Sequence, residues 1–358
     1  MLEIPVKPDI EGLLRNLRRQ GTPDRTYFIE LPLDPEVVDA VCAHFSLPIG
    51  HVSSPWAWKW CREIAVYRFL GYEILYYRIP AFVFPRDNVR YAEDTAPLRR
   101  PGGRPWFSET QGIINSWKDF DRYPWPDPKD WDLSDLEWLN RNLPEDMGIS
   151  GSCHSVFEQV TWLMSYQGLC YNLYDQPDLV DAMFARVGEL YLRAAELLLE
   201  FDCVRMLFDG DDMGFKTSTM VPPWVLIQKS FPWHQRMATA AHRRGKLYML
   251  HSCGKLDEVM PALIDHVGID GKHSFEDVIE PVTEAKRKWG DRIAILGGID
   301  VDFLCRATEE QVRRRVRETL DVCLPGGGYC LGTGNTVANY IPLENYLAML
   351  DEGRRYTR

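Results

Sequence analysis

Val204-Arg205-Met206-Leu207-Phe208-Asp209-Gly210-Asp211-Asp212 is a short run of β-forming residues that breaks into a cluster of acids. It follows a helical pattern over residues 178–201, where Val180, Met183, Phe184, Val187, Leu190, Ala194, Leu197 and Phe201 recur at spacings of three and four. A long amphipathic helix feeding a short strand that ends in polar residues is the unit of a parallel α/β sheet, with the polar end at its functional edge. Working outward, the same alternation recurs along the chain. Candidate strands cover residues 25–31, 72–77, 147–152, 204–209, 246–251, 268–273, 292–297 and 328–332.

Local signals punctuate these runs. Asp178, after Pro177, reads as the cap of the 178–201 helix, and Thr308-Glu309-Glu310-Gln311 opens a helix that runs to about Cys323 with a capping-box pattern. Eight strands alternating with helices predict an α/β fold, a (β/α)8 TIM barrel with an N-terminal helical extension; an open doubly wound sheet gives much the same alternation. No repeat of 20 to 50 residues is present, so residues 1–358 are expected to form a single domain. The connection between the second and third strands is long and rich in turns, including Arg99-Arg100-Pro101-Gly102-Gly103 and Tyr123-Pro124-Trp125-Pro126-Asp127-Pro128. It is read as an excursion without regular structure over the sheet's mouth, either a lid or a surface insertion.

Composition narrows the function. The chain has 358 residues, 45% hydrophobic and 26% charged, with a net charge of −11, which opposes binding to nucleic acid or to an anionic membrane. Glu3, Lys7, Asp9, Glu11, Arg15, Arg18 and Arg19 interrupt any signal-like apolar core near the start. No apolar run approaches the roughly 20 residues that span a bilayer. Nine cysteines without a CxxC pair fit reduced thiols, and a cytoplasmic setting is expected.

Side chains at the C-terminal strand ends converge on one mouth, so polar residues there are the candidate site. Asp209, Asp211 and Asp212 leave the fourth strand, His251 and Cys253 the fifth, His273 and Glu276 the sixth, Asp300 the seventh and Asn335 the eighth. Three carboxylates in four positions repel one another unless cations or donors offset them. His251 and Cys253, two apart, offer an imidazole and a thiolate to one side of an ion such as zinc, with Glu276, Asp209, Asp211, Asn335 or Cys330 completing the shell; equally, the pair reads as a hydrogen-bonded histidine beside a core cysteine. Asp209, Asp211 and Glu276 are the candidate catalytic groups, and Asp212, Asn335, Trp162 and His273 the candidate substrate contacts. The glycines of Gly326-Gly327-Gly328-Tyr329-Cys330-Leu331-Gly332-Thr333-Gly334 match neither phosphate-loop pattern, and close strand packing accounts for them. Trp56, Trp58, Trp162 and Trp224 are read as pocket or core aromatics.

Taken in order, these segments resemble the uroporphyrinogen decarboxylase superfamily, in its branch of corrinoid-dependent methyltransferases. The likeness rests on 208–214, on Gly245-Lys246 leading to His251-Ser252-Cys253-Gly254, and on His273-Ser274-Phe275-Glu276. It continues through Gly297-Gly298-Ile299-Asp300, Gly327-Gly328-Tyr329, Asn335 and Pro342-Leu343-Glu344-Asn345. The resemblance implies a (β/α)8 barrel and a zinc held by the HxC pair plus a later cysteine. In this chain Asn335 stands where that cysteine would be. The arginine-rich stretch with which the decarboxylases grip substrate carboxylates is missing around residues 25–30. The resemblance therefore implies methyl transfer between a small molecule and a corrinoid on a separate protein, with zinc as Lewis acid and, by analogy, a homodimer. The alternatives are a metal-independent lyase or decarboxylase acting through Asp209 or Asp211, and a barrel that binds a ligand without turnover.

Overall fold

Along the sheet, alternate side chains serve two different cores, as a period of two requires. The structure is a computed structural model that describes residues 2, 4–50, 54–152 and 156–356. Its strands are β1 (Ile74–Tyr77), β2 (Val89–Ala92), β3 (Arg104–Phe107), β4 (Gly148–Gly151), β5 (Val204–Gly210), β6 (Leu247–His251), β7 (Gly271–His273), β8 (Ala294–Leu296) and β9 (Tyr329–Cys330). Met206, Phe208, Leu247, Met249 and Leu296 point to an inner core that the N-terminal helix Ile10–Leu17 plugs with Ile10, Leu13, Leu14 and Leu17. Leu207, Tyr248, Leu250 and Ile295 point outward to the larger core under the surrounding helices. Burial on both faces explains why these strands read as continuous apolar runs.

The main sheet has seven parallel strands in the order β1-β4-β5-β6-β7-β8-β9. These match seven of the strands expected from the sequence. The first expected strand, 25–31, is reduced to a single bridge between Phe28 and Leu331, carried by Ile29 N–H to Leu331 O (3.0 Å) and Leu331 N–H to Tyr27 O (2.8 Å). Toward β1, side chains link the segment instead: Arg25 pairs with Glu73 at 2.5 Å, and the Tyr76 hydroxyl donates to Glu30 O. The sheet is therefore open at that edge, and the eight-stranded barrel is represented by seven strands and one bridge.

Helices connect the strands on the outer face. The helix before β5 spans Pro177–Leu199, with Gln176 rather than Asp178 at its cap position; proline suits the first turn because its missing N–H would have no partner there. Asp178 lies inside that first turn, where a carboxylate favours the helix dipole. The capping box is present at Thr308 and Gln311, opening the helix Glu309–Cys323. The long insertion is not structureless: β2 and β3 form an antiparallel hairpin, followed by the helices Trp117–Arg122 and Ser134–Asn142. None of the helices among the described residues is long and apolar enough to cross a membrane.

Glu30 ties the first segment to the last strand end. It is buried, and its carboxyl accepts from Thr333 N (2.9 and 3.0 Å), contacts Thr333 Oγ1 at 2.6 Å and accepts from the Tyr72 hydroxyl at 3.4 Å. Burial pushes its pKa from 4.5 up to about 8 against the pull of these hydrogen bonds. A carboxyl with a raised pKa is protonated in the fold and ionised in the unfolded chain, so its stability contribution is present below about pH 4.5 and lost as pH rises to about 8. Glu30→Gln is expected to flatten this part of the melting-temperature profile. Parallel wild-type and variant profiles from thermal denaturation across that window would refute the assignment.

Candidate functional site

The ladder places the key side chains. Gly210 of β5 pairs with His251 of β6, and His251 pairs with His273 of β7, so the two histidines stand side by side at the C-terminal edge. Their rings lie 5.1 Å apart at 34°, with Nδ1 facing Nδ1 at 2.8 Å. His273 Nε2 lies 3.0 Å from Thr333 O, which can only accept, so this nitrogen carries the proton. Burial, reinforced by His251 and Lys272, drives the His273 pKa well below its ordinary value and keeps the ring neutral. Its Nδ1 is therefore an acceptor, and His251 must donate from its own Nδ1. When His251 is neutral, the lone pair is left on Nε2.

That nitrogen faces two further donors. Asp212 Oδ1 is 3.4 Å away and Cys253 Sγ 3.5 Å away, and Cys253 N–H donates to Asp212 Oδ1 at 2.8 Å. One ligand atom each from Asp212, His251 and Cys253 all fall within 4.8 Å of one another. Burial pushes the Cys253 thiol far up, and the neighbouring Asp212 charge pushes it further. Burial raises Asp212 as well, but His251 and the Cys253 amide outweigh it and hold its carboxyl at about 2. A carboxylate beside a thiol that resists ionisation is a conflict a divalent cation relieves. Oxygen, nitrogen and sulfur donors from three residues, with one position left open, fit the composition of a catalytic zinc site. Asn335 Nδ2 lies 3.4 Å from Cys253 Sγ, so it stands beside the group while Asp212 supplies the third donor.

The other residues singled out from the sequence are dispersed. Asp211 is fully buried and its oxygens accept from Phe157 N (3.0 Å) and Glu158 N (2.9 Å), at the start of the helix Val156–Met164. His234 Nε2 (2.8 Å) and the Ser230 hydroxyl (3.2 Å) meet the same carboxylate, and His234 Nδ1 reaches the Tyr248 hydroxyl at 2.6 Å. Its oxygens are thus taken up by the scaffold. Asp209 is also fully buried, with the Arg78 guanidinium within electrostatic reach. Glu276 lies outside the three-residue donor group; burial and the charges of Asp300 and Asp212 raise its pKa. Asp300 caps the helix Val301–Arg306 through Phe303 N and accepts from Asp277 N. Cys330 belongs to the inner core and contacts Asn16 Nδ2 at 3.4 Å, at the plugged end of the sheet, so it does not complete the shell at Cys253.

Two cavities flank the group. One, of about 760 Å³, is lined by Asp212 and Cys253 together with Trp162, Tyr166, Phe107 and Glu109. The other, of about 840 Å³, lies past Asn335 and Glu276 and includes Lys216 and Arg306. Trp162 thus lines the cavity beside the donor group, whereas Trp56, Trp58 and Trp224 stay 40 to 45% exposed on the surface. Trp106, Phe107 and Glu109 come from the insertion, which no local motif tied to the site. Lys272 was missed too: fully buried, with its pKa lowered to about 8 by burial, it donates to the carbonyls of Ser252 (3.3 Å), His273 (3.3 Å) and Ser274 (2.6 Å). These bonds hold the two strand exits together, including Ser274 at φ +83°.

The glycines after β8 and β9 serve packing. A Cβ on Gly332 would sit 1.9 Å from Ile29 O, and one on Gly334 2.6 Å from Phe275 O. The contrast between the adjacent aspartates gives a stability test. Asp211→Ala is expected to cost about 3 kcal/mol or more in chemical denaturation, because it strands His234 and two helix amides. Asp212→Ala, whose side chain is 37% exposed, should cost under about 1 kcal/mol. Equal losses would contradict this division.

A methyltransferase from Methanosarcina mazei superposes with a TM-score of 0.68 at 16% identity, covering 96% of this chain and 97% of that one, which shows a shared fold. A vitamin-B12-independent methionine synthase from Listeria monocytogenes gives a TM-score of 0.49 at 12% identity, over 94% of this chain and 97% of that one. No curated protein matches. The family profile described as Uroporphyrinogen decarboxylase (URO-D) matches residues 101–356, a span that contains the entire donor group, and the chain belongs to that family.

Proposed function

We propose that this chain is a methyltransferase of the corrinoid-dependent branch of its family, moving a methyl group between a small molecule and a corrinoid carried by a separate protein. The observation that carries the reading is the convergence of Asp212, His251 and Cys253 on the wall of the 760 Å³ cavity. The fold shared with the Methanosarcina methyltransferase supports it. The decarboxylase alternative fits less well, because the cavity at the donor group carries Glu109, Glu158 and Asp212 and, among its described lining residues, no lysine or arginine, the wrong lining for a substrate bearing many carboxylates. The chain has no DxHxxG segment of the kind that holds a corrinoid, which is why the carrier is placed on a partner.

Each residue has a part. His273 fixes the tautomer of His251 through the Nδ1–Nδ1 contact and is itself held by Thr333 O. The Cys253 amide orients Asp212. Asn335 donates toward Cys253 sulfur and tempers its negative charge once ionised. A zinc ion held by Asp212, His251 and Cys253 would supply Lewis acidity toward a lone-pair-bearing atom of the small molecule and keep the Cys253 thiolate ionised.

Elemental analysis of the purified protein should find zinc near one equivalent, absent from a folded His251→Ala/Cys253→Ala variant. Protein that stays metal-free when zinc is supplied would overturn the reading. His273→Ala should weaken zinc binding by roughly 10- to 100-fold in chelator competition, the usual effect of removing a partner that orients a ligand. Unchanged affinity would remove His273 from the role given to it.

A further inference from the structure

The cavity beside the donor group is lined in a way the methyl-transfer reading does not itself require. Five aromatic side chains, Trp106, Phe107, Trp162, Tyr166 and Phe215, line it. Three carboxylates, Glu109, Glu158 and Asp212, line it as well, and among its described lining residues there is no lysine, arginine or histidine. Arg86 packs over the rings of Phe107 and Trp162, at 4.5 and 4.6 Å, without lining the cavity, so this aromatic pair already accommodates a cation. Lys216 follows Phe215 but lines the other cavity. A net negative space walled by aromatic rings repels anions and gives a neutral ligand no charge contact. It attracts a cation whose charge is spread over methyl groups, which needs no hydrogen-bond acceptor and packs against rings.

We infer that the small substrate is a methylated onium cation, a quaternary ammonium or a sulfonium, bound between the Trp162 and Phe107 wall and the Glu109 carboxylate. The inference deepens the methyl-transfer reading and rests on it for its chemistry. The bond from methyl carbon to nitrogen or sulfur breaks heterolytically, and the electron pair stays on the heteroatom, which leaves as a neutral amine or sulfide. The methyl carbon is bonded by the electron pair of the nucleophile, the reduced corrinoid of the partner. No proton is needed for departure, consistent with a cavity whose described lining residues include no lysine, arginine or histidine.

The test is calorimetric titration of the full-length protein with choline and with 3,3-dimethylbutanol, its neutral counterpart of nearly the same shape. Choline is expected to bind at least tenfold more tightly. Trp162→Leu and Glu109→Gln should each weaken choline at least fivefold while changing dimethylbutanol less than twofold. Glu109 is exposed, so its variant keeps the test decisive if the tryptophan variant does not fold. Equal affinities, tighter binding of the neutral alcohol, or no choline binding would overturn the inference. Zinc at the donor group without this discrimination would sink the onium assignment alone, whereas discrimination in a protein that never binds zinc would keep it and sink the methyl-transfer reading.

Discussion

The register of three parallel strands is what the site depends on. Because Gly210 is opposite His251 and His251 opposite His273, two imidazoles are forced into contact at the sheet edge, and the backbone that follows each strand must turn within one or two residues. A slip of one position would turn every side chain to the other face and send His251 into the outer core. Asp211 secures the register from one side by gathering the start of a helix, Ser230 and His234, and Lys272 from the other by gathering three carbonyls. The donor group is thus a by-product of ladder geometry, held by groups that take no part in its chemistry.

Within that frame, adjacent residues divide the labour. Asp211 and Asp212 share a sequence motif but face opposite environments, one enclosed by amides and an imidazole, the other against a thiol at a cavity wall. Cys253 is compromised by burial and by Asp212 alike, which makes the pair unstable as two free anions and suited to a shared positive charge. Asn335, standing where the resemblance implied a cysteine, does not leave the group a donor short, because Asp212 reaches it from the end of the neighbouring strand.

The sheet was legible because each strand carries its own apolar run between helix signals, and His251 and Cys253 were legible because they fall at one strand's end. The opening at the first strand was not, since residues 25–31 read as a strand but meet β1 through Arg25 with Glu73 and through Glu30 O with the Tyr76 hydroxyl rather than through a backbone ladder. Which aspartate joins the group was not legible either: Asp209, Asp211 and Asp212 differ only in where the chain turns after Gly210. The same limit hid the relay through Thr333 and Glu30, which joins residues about 300 apart in sequence. The cavity wall from the insertion carries no periodic signature, so Trp106, Phe107 and Glu109 could be placed only by tertiary structure.

The two sides of that cavity are built from different materials. The donor side rests on the buried sheet, whereas the wall from the insertion rests on a two-stranded ribbon that by itself is marginal in water. The ribbon and the loop joining its strands are fastened to the rest of the protein by Arg100 to Asp34 and Glu36, and by Arg104 to Asp34 and Asn339, with both arginines part-exposed. Ion pairs near the surface weaken with ionic strength, while the histidine contact under the sheet edge does not feel it. Rising salt would therefore loosen one wall of the pocket and leave the other rigid, making ligand exchange depend on the ionic medium while the donor group keeps its shape.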